Sequence, residues 1–177
     1  SPIPIICMLN GKCTAAGLEL ALSCDLVLCS KQSLFMTPGV NLSMFCHTPS
    51  VAVSRSVASH KHAMQMLLTG EWIDAATAFR MGLVNFVCDD VKELVDKTNE
   101  IAVKIASKSK PVLAFGKQSY HQHCKEKHVE EAYKMASRNM VRNILEFSDA
   151  KEGISAFLDK RKPVWSHRPP LDIPSKL

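Results

Sequence analysis

Glu19 is a carboxylate whose neighbours in sequence give it something to act on. It stands two residues beyond Gly17 in the run Ala15-Ala16-Gly17-Leu18-Glu19, where an apolar segment has just ended at Asn10 and Gly11 and helix-forming residues begin. Small side chains at such a junction let a ligand approach the backbone. The first N–H groups of a helix have no intrahelical partner, and the helix dipole favours negative charge there, so an oxyanion or a phosphate is a natural ligand. A carboxylate aimed at the same small volume could move a proton on a substrate whose carbonyl rests on those N–H groups. A plainer reading stays open beside this one. A tight strand-to-helix junction also needs small residues for packing, and a Glu in the first turns of a helix also matches the dipole. The segment is neither a Walker phosphate loop, because Gly11-Lys12 is followed by Cys13 without the upstream glycine, nor a Gly-x-Gly-x-x-Gly turn.

Other constellations point to less. His121, Cys124 and His128 follow the i, i+3, i+7 spacing of one helical face, so zinc has to be weighed. No fourth ligand is within sequence reach, and Gln122, Lys125, Glu126 and Lys127 read as a solvated surface, so no metal site is expected. The nucleophile elbow Gly-x-Ser-x-Gly is absent. Seven cysteines form no Cys-x-x-Cys pair and are odd in number, which points away from a disulfide framework and toward a reducing compartment. The net charge of +5, from 22 basic and 17 acidic residues spread along the chain, is too mild for a nucleic-acid footprint. The longest stretch without Asp, Glu, Lys or Arg, residues 32–54, contains Pro38, Gly39, Asn41, His47 and Pro49, so no transmembrane segment is expected there. It reads as buried or pocket-lining chain.

The elements that would position Glu19 are legible as patterns. The nearly continuous apolar run at residues 5–9 fits a strand of a parallel sheet, residues 15–23 fit a helix, and Leu26, Val27, Leu28 and Cys29 fit a second strand. A crossover of this length implies a right-handed βαβ unit. Helices follow at 61–69, stopped by Gly70, and from a cap at Asp74 to Gly82, with a short strand in 83–88. Asp89 or Asp90 opens a helix in which Val91, Leu94, Val95, Thr98, Ile101, Ala102 and Ile105 form one buried stripe. Pro111 starts another helix, residues 129–147 put Val129, Ala132, Tyr133, Ala136, Met140 and Ile144 on one side, and Asp149 is placed to cap a last helix reaching Arg161. With 177 residues and 46% hydrophobic composition, one substantial core is expected.

Taken together, several stretches resemble the enoyl-CoA hydratase/isomerase (crotonase) superfamily. These are Pro4-Ile5-Ile6-Cys7-Met8-Leu9-Asn10-Gly11, Ala15 through Asp25, Leu68-Thr69-Gly70-Glu71, Ala76 through Val84, and Glu152 through Lys162, in family order. Thr37 through Asn41, Phe45-Cys46, Thr48-Pro49 and Lys160 through His167 look like a mitochondrial member, which implies that compartment, although no transit segment stands in this chain. The resemblance implies an α/β fold, a spiral of ββα turns cut at its N-terminus and followed by a helical trimerisation region. The expected divisions are a spiral core at 1–90, the helical region at 91–165 and a proline-rich tail at 166–177.

The resemblance also implies a function in lipid metabolism. Acyl-CoA thioesters would be the ligands, with CoA entering as part of the substrate and no other cofactor, and the whole protein would form a homotrimer or a hexamer. One of two backbone N–H donors to the thioester carbonyl maps onto Ala16, and Glu19 matches the first catalytic glutamate of the hydratases. Gly17 and Pro38 fall at substrate-binding positions, while Phe157 and Lys160 match positions that contact the CoA nucleotide.

Two departures from the family follow. The second hydratase glutamate, which follows a proline, falls here on Gly39, and losing one of two cooperating acid/base groups costs about 10²–10⁴ in rate. The loop at 40–54 looks longer than usual, and its polar residues Asn41 and His47 do not obviously replace an acid. The family's first third, with the other oxyanion donor, has no counterpart here, so residues 5–9 would form a strand with a bare edge. Three expectations therefore coexist: an enzyme with Glu19 as sole acid/base, a catalytically impaired CoA-binding or regulatory subunit, or a helical assembly module kept by a truncated isoform.

Overall fold

The apolar run at residues 5–9 becomes β1 (Ile6–Leu9), which pairs in parallel with β3 (Leu26–Ser30) through Ile6↔Leu26 to Leu9↔Cys29. The computed structural model describes residues 1–170, in two compact units, Ile5–Ala102 and a second made of Ser1–Pro4 with the chain from Val103 onward.

In the first unit, β3 also pairs in parallel with β6 (Phe86–Cys88), giving a sheet in the order β1-β3-β6. β3 is the centre of that sheet, and Val27, Leu28, Cys29 and Ser30 are buried, as a strand covered on both faces requires. β1 lies at the edge, with Met8 49% exposed. A second sheet is built from β2 (Lys12–Thr14), β4 (Leu34–Met36) and β5 (Ile73–Asp74), β2 parallel and β5 antiparallel to β4. The chain alternates between the sheets: β1 and β2 lead to α1 (Ala15–Leu22), and β3 and β4 lead to α2 (His47–Ser56) and α3 (His60–Thr69). β5 then leads through α4 (Ala75–Met81) to β6. Cys13, Leu18, Phe35, Val53, Met66 and Ala78 fill the core between these layers.

β2 corrects the expectation of a plain turn between the first strand and the first helix. Three residues with one buried side chain, Cys13, are too short to show a period. The corner before it is fixed by buried hydroxyls. Ser30 Oγ donates to Asn10 Oδ1 (2.8 Å), Ser33 Oγ to the Leu9 carbonyl (3.2 Å), and the Gly11 N–H donates to Ser33 Oγ (3.3 Å). The expected caps are present. Gly70 and Gly82 close α3 and α4 at φ of +59° and +88°, where a side chain would be strained. Asp74 accepts the Thr77 N–H (2.7 Å), and α5 (Val91–Ala106) is capped by Asp90, which accepts the Glu93 N–H (2.8 Å). Of the α5 stripe only Leu94 is fully buried, while Val91, Val95 and Ala102 are exposed.

The second unit holds α6 (Lys110–His123), with Pro111 in its first turn, α7 (Val129–Glu146) and α8 (Ser148–Leu158). Phe115 of α6 packs on Phe147, ring centroids 5.1 Å apart. The apolar side of α7 is not buried. No residue of this helix is fully covered, and Tyr133 is 71% exposed. Asp149 does not cap α8. It is 2% exposed and accepts the Ser166 N–H (2.8 Å), the Ser166 hydroxyl (2.7 Å) and the His167 N–H (3.1 Å), strapping the chain after α8 back onto the helix. Arg161 forks onto Glu152 (2.6 and 2.9 Å), and its hydrogen bonds with that of the Val164 N–H hold the Glu152 carboxyl down to about 2. The Trp165 indole donates to the Ser107 carbonyl at 2.7 Å. Of the proline-rich tail expected at 166–177, residues 171–177 lie outside the described residues.

Candidate functional site

α1 is delivered by β2 through two unusual residues. Thr14 is extended and its hydroxyl does not cap the helix; Ala15 sits at φ +46°, a left-handed conformation that costs a residue with a side chain about 1–2 kcal/mol. The N–H groups of the first turn are therefore left without a side-chain acceptor. Ala16 and Gly17 are exposed. A Cβ placed on Gly17 would meet nothing within 4 Å. Gly17 therefore stands against no neighbour among the described residues.

Leu18 and Ala21 anchor α1 in the core, which turns half-buried Glu19 toward α2. There Glu19 Oε2 accepts a hydrogen bond from Thr48 Oγ1 at 2.8 Å. Thr48 is the second residue of α2, and Pro49 is buried in the same turn. Half of the expected loop at 40–54 is thus helix. Pro49, suited to a first helical turn, is the signal that could have placed Thr48 there.

Pro38 and Gly39 begin a 3₁₀ turn, Pro38–Leu42, seated on the end of α3. Thr37 Oγ1 donates to the Met66 carbonyl (2.7 Å), and the Asn41 amide donates to the Gly70 carbonyl (3.0 Å). Asn41 is therefore engaged in holding this turn, and His47 is exposed, its ring tilted against Phe45. Gly39 is enclosed. Its N–H donates to Cys46 Sγ (3.3 Å), and a Cβ here would stand 3.0 Å from that sulfur, 3.1 Å from the Cys46 nitrogen and 3.1 Å from the Met44 carbonyl oxygen.

Phe157 and Lys160 belong to the second unit, at the end of α8. Phe157 is 81% exposed, and Lys160 adopts φ +53°. His121, Cys124 and His128 are exposed, and among the described residues no group of three or more His, Cys, Asp or Glu is placed to hold a metal ion. All seven cysteines are free; burial pushes the Cys13 and Cys29 thiols up to about 11, so neither offers a thiolate nucleophile. Among the described residues no helix is long and apolar enough to cross a membrane.

The comparisons with known proteins converge on one family. The family model for enoyl-CoA hydratase/isomerase matches residues 1–168. The chain is 47% identical over 168 residues to human enoyl-CoA hydratase domain-containing protein 3, mitochondrial, covering 95% of this chain and 54% of that protein. It is 32% identical to carnitinyl-CoA dehydratase of Escherichia coli (strain SMS-3-5 / SECEC), covering 93% of this chain and 64% of that enzyme. The crystal structure of human enoyl coenzyme A hydratase domain-containing protein 3 superposes with a TM-score of 0.88 at 46% identity, covering 93% of this chain and 63% of that one. An enoyl-CoA hydratase structure from Mycobacterium smegmatis gives 0.88 at 39% identity, with 93% and 62% covered. The chain thus spans about half the length of the curated relatives it matches. Its alternation of two small sheets with helices is the fold of these structures, and the chain belongs to the enoyl-CoA hydratase/isomerase family.

Proposed function

We propose that Ala16 and Glu19 form the chemical end of an acyl-CoA thioester site that works with one carboxylate. The observation that carries this reading is the uncapped, open first turn of α1 with the Glu19 carboxylate on the same helix. The thioester carbonyl would accept the Ala16 N–H, with Gly17 and Pro38 lining its approach. That hydrogen bond strengthens as negative charge builds on the oxygen, which lowers the barrier to removing a proton from the adjacent carbon. Glu19 takes the proton, leaving an enolate, and returns it to the same or a neighbouring carbon. The family membership and the likeness to a carnitinyl-CoA dehydratase support a CoA thioester as the ligand. Phe157 and Lys160 are proposed to contact its nucleotide. The whole protein is proposed to assemble as a trimer or hexamer in mitochondria, a compartment carried by the names of its relatives.

A second reading, acyl-CoA binding without turnover, is supported by the surroundings of Gly39, the residue proposed to stand at the position of the second hydratase acid, where a Cβ would crowd the Cys46 and Met44 backbone. Calorimetry and α-proton exchange in D₂O across a panel of acyl- and enoyl-CoAs separate the two. Exchange that Glu19→Gln abolishes supports the enzyme, and binding without exchange supports the binder. Absence of both overturns both.

A further inference from the structure

We infer that Thr48 is a positioning residue for Glu19: its hydroxyl holds Oε2 and leaves Oε1 to meet the substrate. The inference rests on the reading of Glu19 as the acid/base of the site. The Thr48 hydroxyl lies 2.8 Å from Glu19 Oε2, within the ordinary range for an O–H···O hydrogen bond, and here the acceptor is a carboxylate. A glutamate has three side-chain torsions and much rotamer freedom to lose. A threonine has few rotamers to choose from, so its hydroxyl is offered at little entropic expense.

Thr48 is also carried by a firm element. The Ser50 N–H donates to the Cys46 carbonyl (2.9 Å), Ser50 Oγ donates to the His47 carbonyl (2.7 Å), and Pro49 and Val53 are buried beneath them. Being in the first turn of α2, Thr48 brings the positive end of that helix to the carboxylate as well.

This arrangement limits the chemistry. One proton leaves the carbon next to the thioester carbonyl and bonds to Glu19 Oε1; the electron pair of the broken C–H bond becomes the enolate, and the reverse step restores both groups. Thr48 transfers no proton in either direction. The site therefore suits acyl thioesters whose proton departs and returns through one carboxylate, as in α-exchange or double-bond migration.

The test compares wild-type protein with Thr48→Val, which removes the hydroxyl at nearly constant shape, and Thr48→Ser, which keeps it. Two readouts are taken: α-proton exchange of butyryl-CoA in D₂O alongside its calorimetric affinity, and the ¹³C-resolved couplings of the Glu19 γ-methylene, assigned with Glu19→Gln. Thr48→Val is expected to slow exchange by about 10- to 100-fold with affinity unchanged, and to leave Glu19 rotamer-averaged. Thr48→Ser restores both. A Thr48→Val protein that exchanges at the wild-type rate, or whose Glu19 couplings match wild type, overturns the inference. If the wild-type protein exchanges no proton, the reading of Glu19 as an acid/base fails, and the couplings alone then decide whether Thr48 holds Glu19.

Discussion

The Gly39 N–H donates to Cys46 Sγ at 3.3 Å, and this contact closes the 38–46 segment on itself at the position proposed to match the second acid of the hydratases. Two of the three atoms that a Cβ at Gly39 would meet, the Cys46 nitrogen and the Met44 carbonyl oxygen, belong to the backbone and cannot swing aside as a side chain can. Gly39 thus stands where little room is left for a side chain, and the chain just beyond this segment delivers Thr48 to Glu19.

Gly39→Glu is therefore expected to destabilise the protein by about 1–3 kcal/mol through overpacking, and to add no hydratase activity. Gly39→Ala should show most of the same loss. Cys46→Ala in the Gly39→Glu background relieves only the sulfur contact, so recovery should be partial. Urea unfolding of the three variants measures this, and full stability of Gly39→Glu would show that the corner opens freely.

Ala15→Gly should stabilise the protein by about 1 kcal/mol. Ala15 is held at φ +46°, where a glycine meets no steric penalty. A rise in the urea midpoint with unchanged slope is the expected result, and an unchanged or lowered midpoint would mean that the junction is not strained.

The strap at Asp149 should give a pH-dependent contribution to stability. Burial pushes this carboxyl up, but the hydrogen bonds from the Ser166 hydroxyl and the Ser166 and His167 N–H groups outweigh it, so its pKa lies below the usual carboxylate value. A depressed folded value means the contribution is fully present above the unfolded pKa of about 4 and is lost as pH falls through the folded one. Asp149→Asn is expected to cost about 1–3 kcal/mol at pH 7, with the gap to wild type closing in strong acid. Thermal unfolding of both proteins across that range checks it.

The exposed side of α7 tests the proposed assembly. Met140 is 60% exposed although it belongs to an apolar stripe, and a face of this kind is a common subunit contact. Replacing Met140 and Ile144 together by Glu should lower the sedimentation mass to that of a monomer without unfolding the helices. A wild-type protein that is monomeric at every concentration would exclude this face as the contact.

Much of the fold was readable because it rests on local chemistry. β1 and β3 announced themselves as apolar runs, and Gly70, Asp74 and Gly82 as caps, each a preference that one or two residues decide. Glu19 and Ala16 stand out only as candidates, because small residues before a helix are conspicuous. Three features could not be read that way. β2 is three residues long, too short to repeat a pattern. The stripes on α5 and α7 reported an apolar face, but a pattern says nothing of what covers it. Asp149 looked like a cap because it stands where a helix begins, whereas its partners, Ser166 and His167, lie 17 and 18 residues away. Thr48 was hidden for the same reason, 29 residues from Glu19.

The position of β1 at the sheet edge bears on how the chain behaves in a tube. Among the described residues its outer backbone groups have no strand beside them in the β1-β3-β6 order. An edge of this kind is a template for any extended segment that can align with it. Concentrated or warmed solutions of the chain should therefore cloud by sheet addition starting at β1. A lysine in place of outward-facing Met8 would delay that clouding while leaving Glu19 and its partner Thr48 in place.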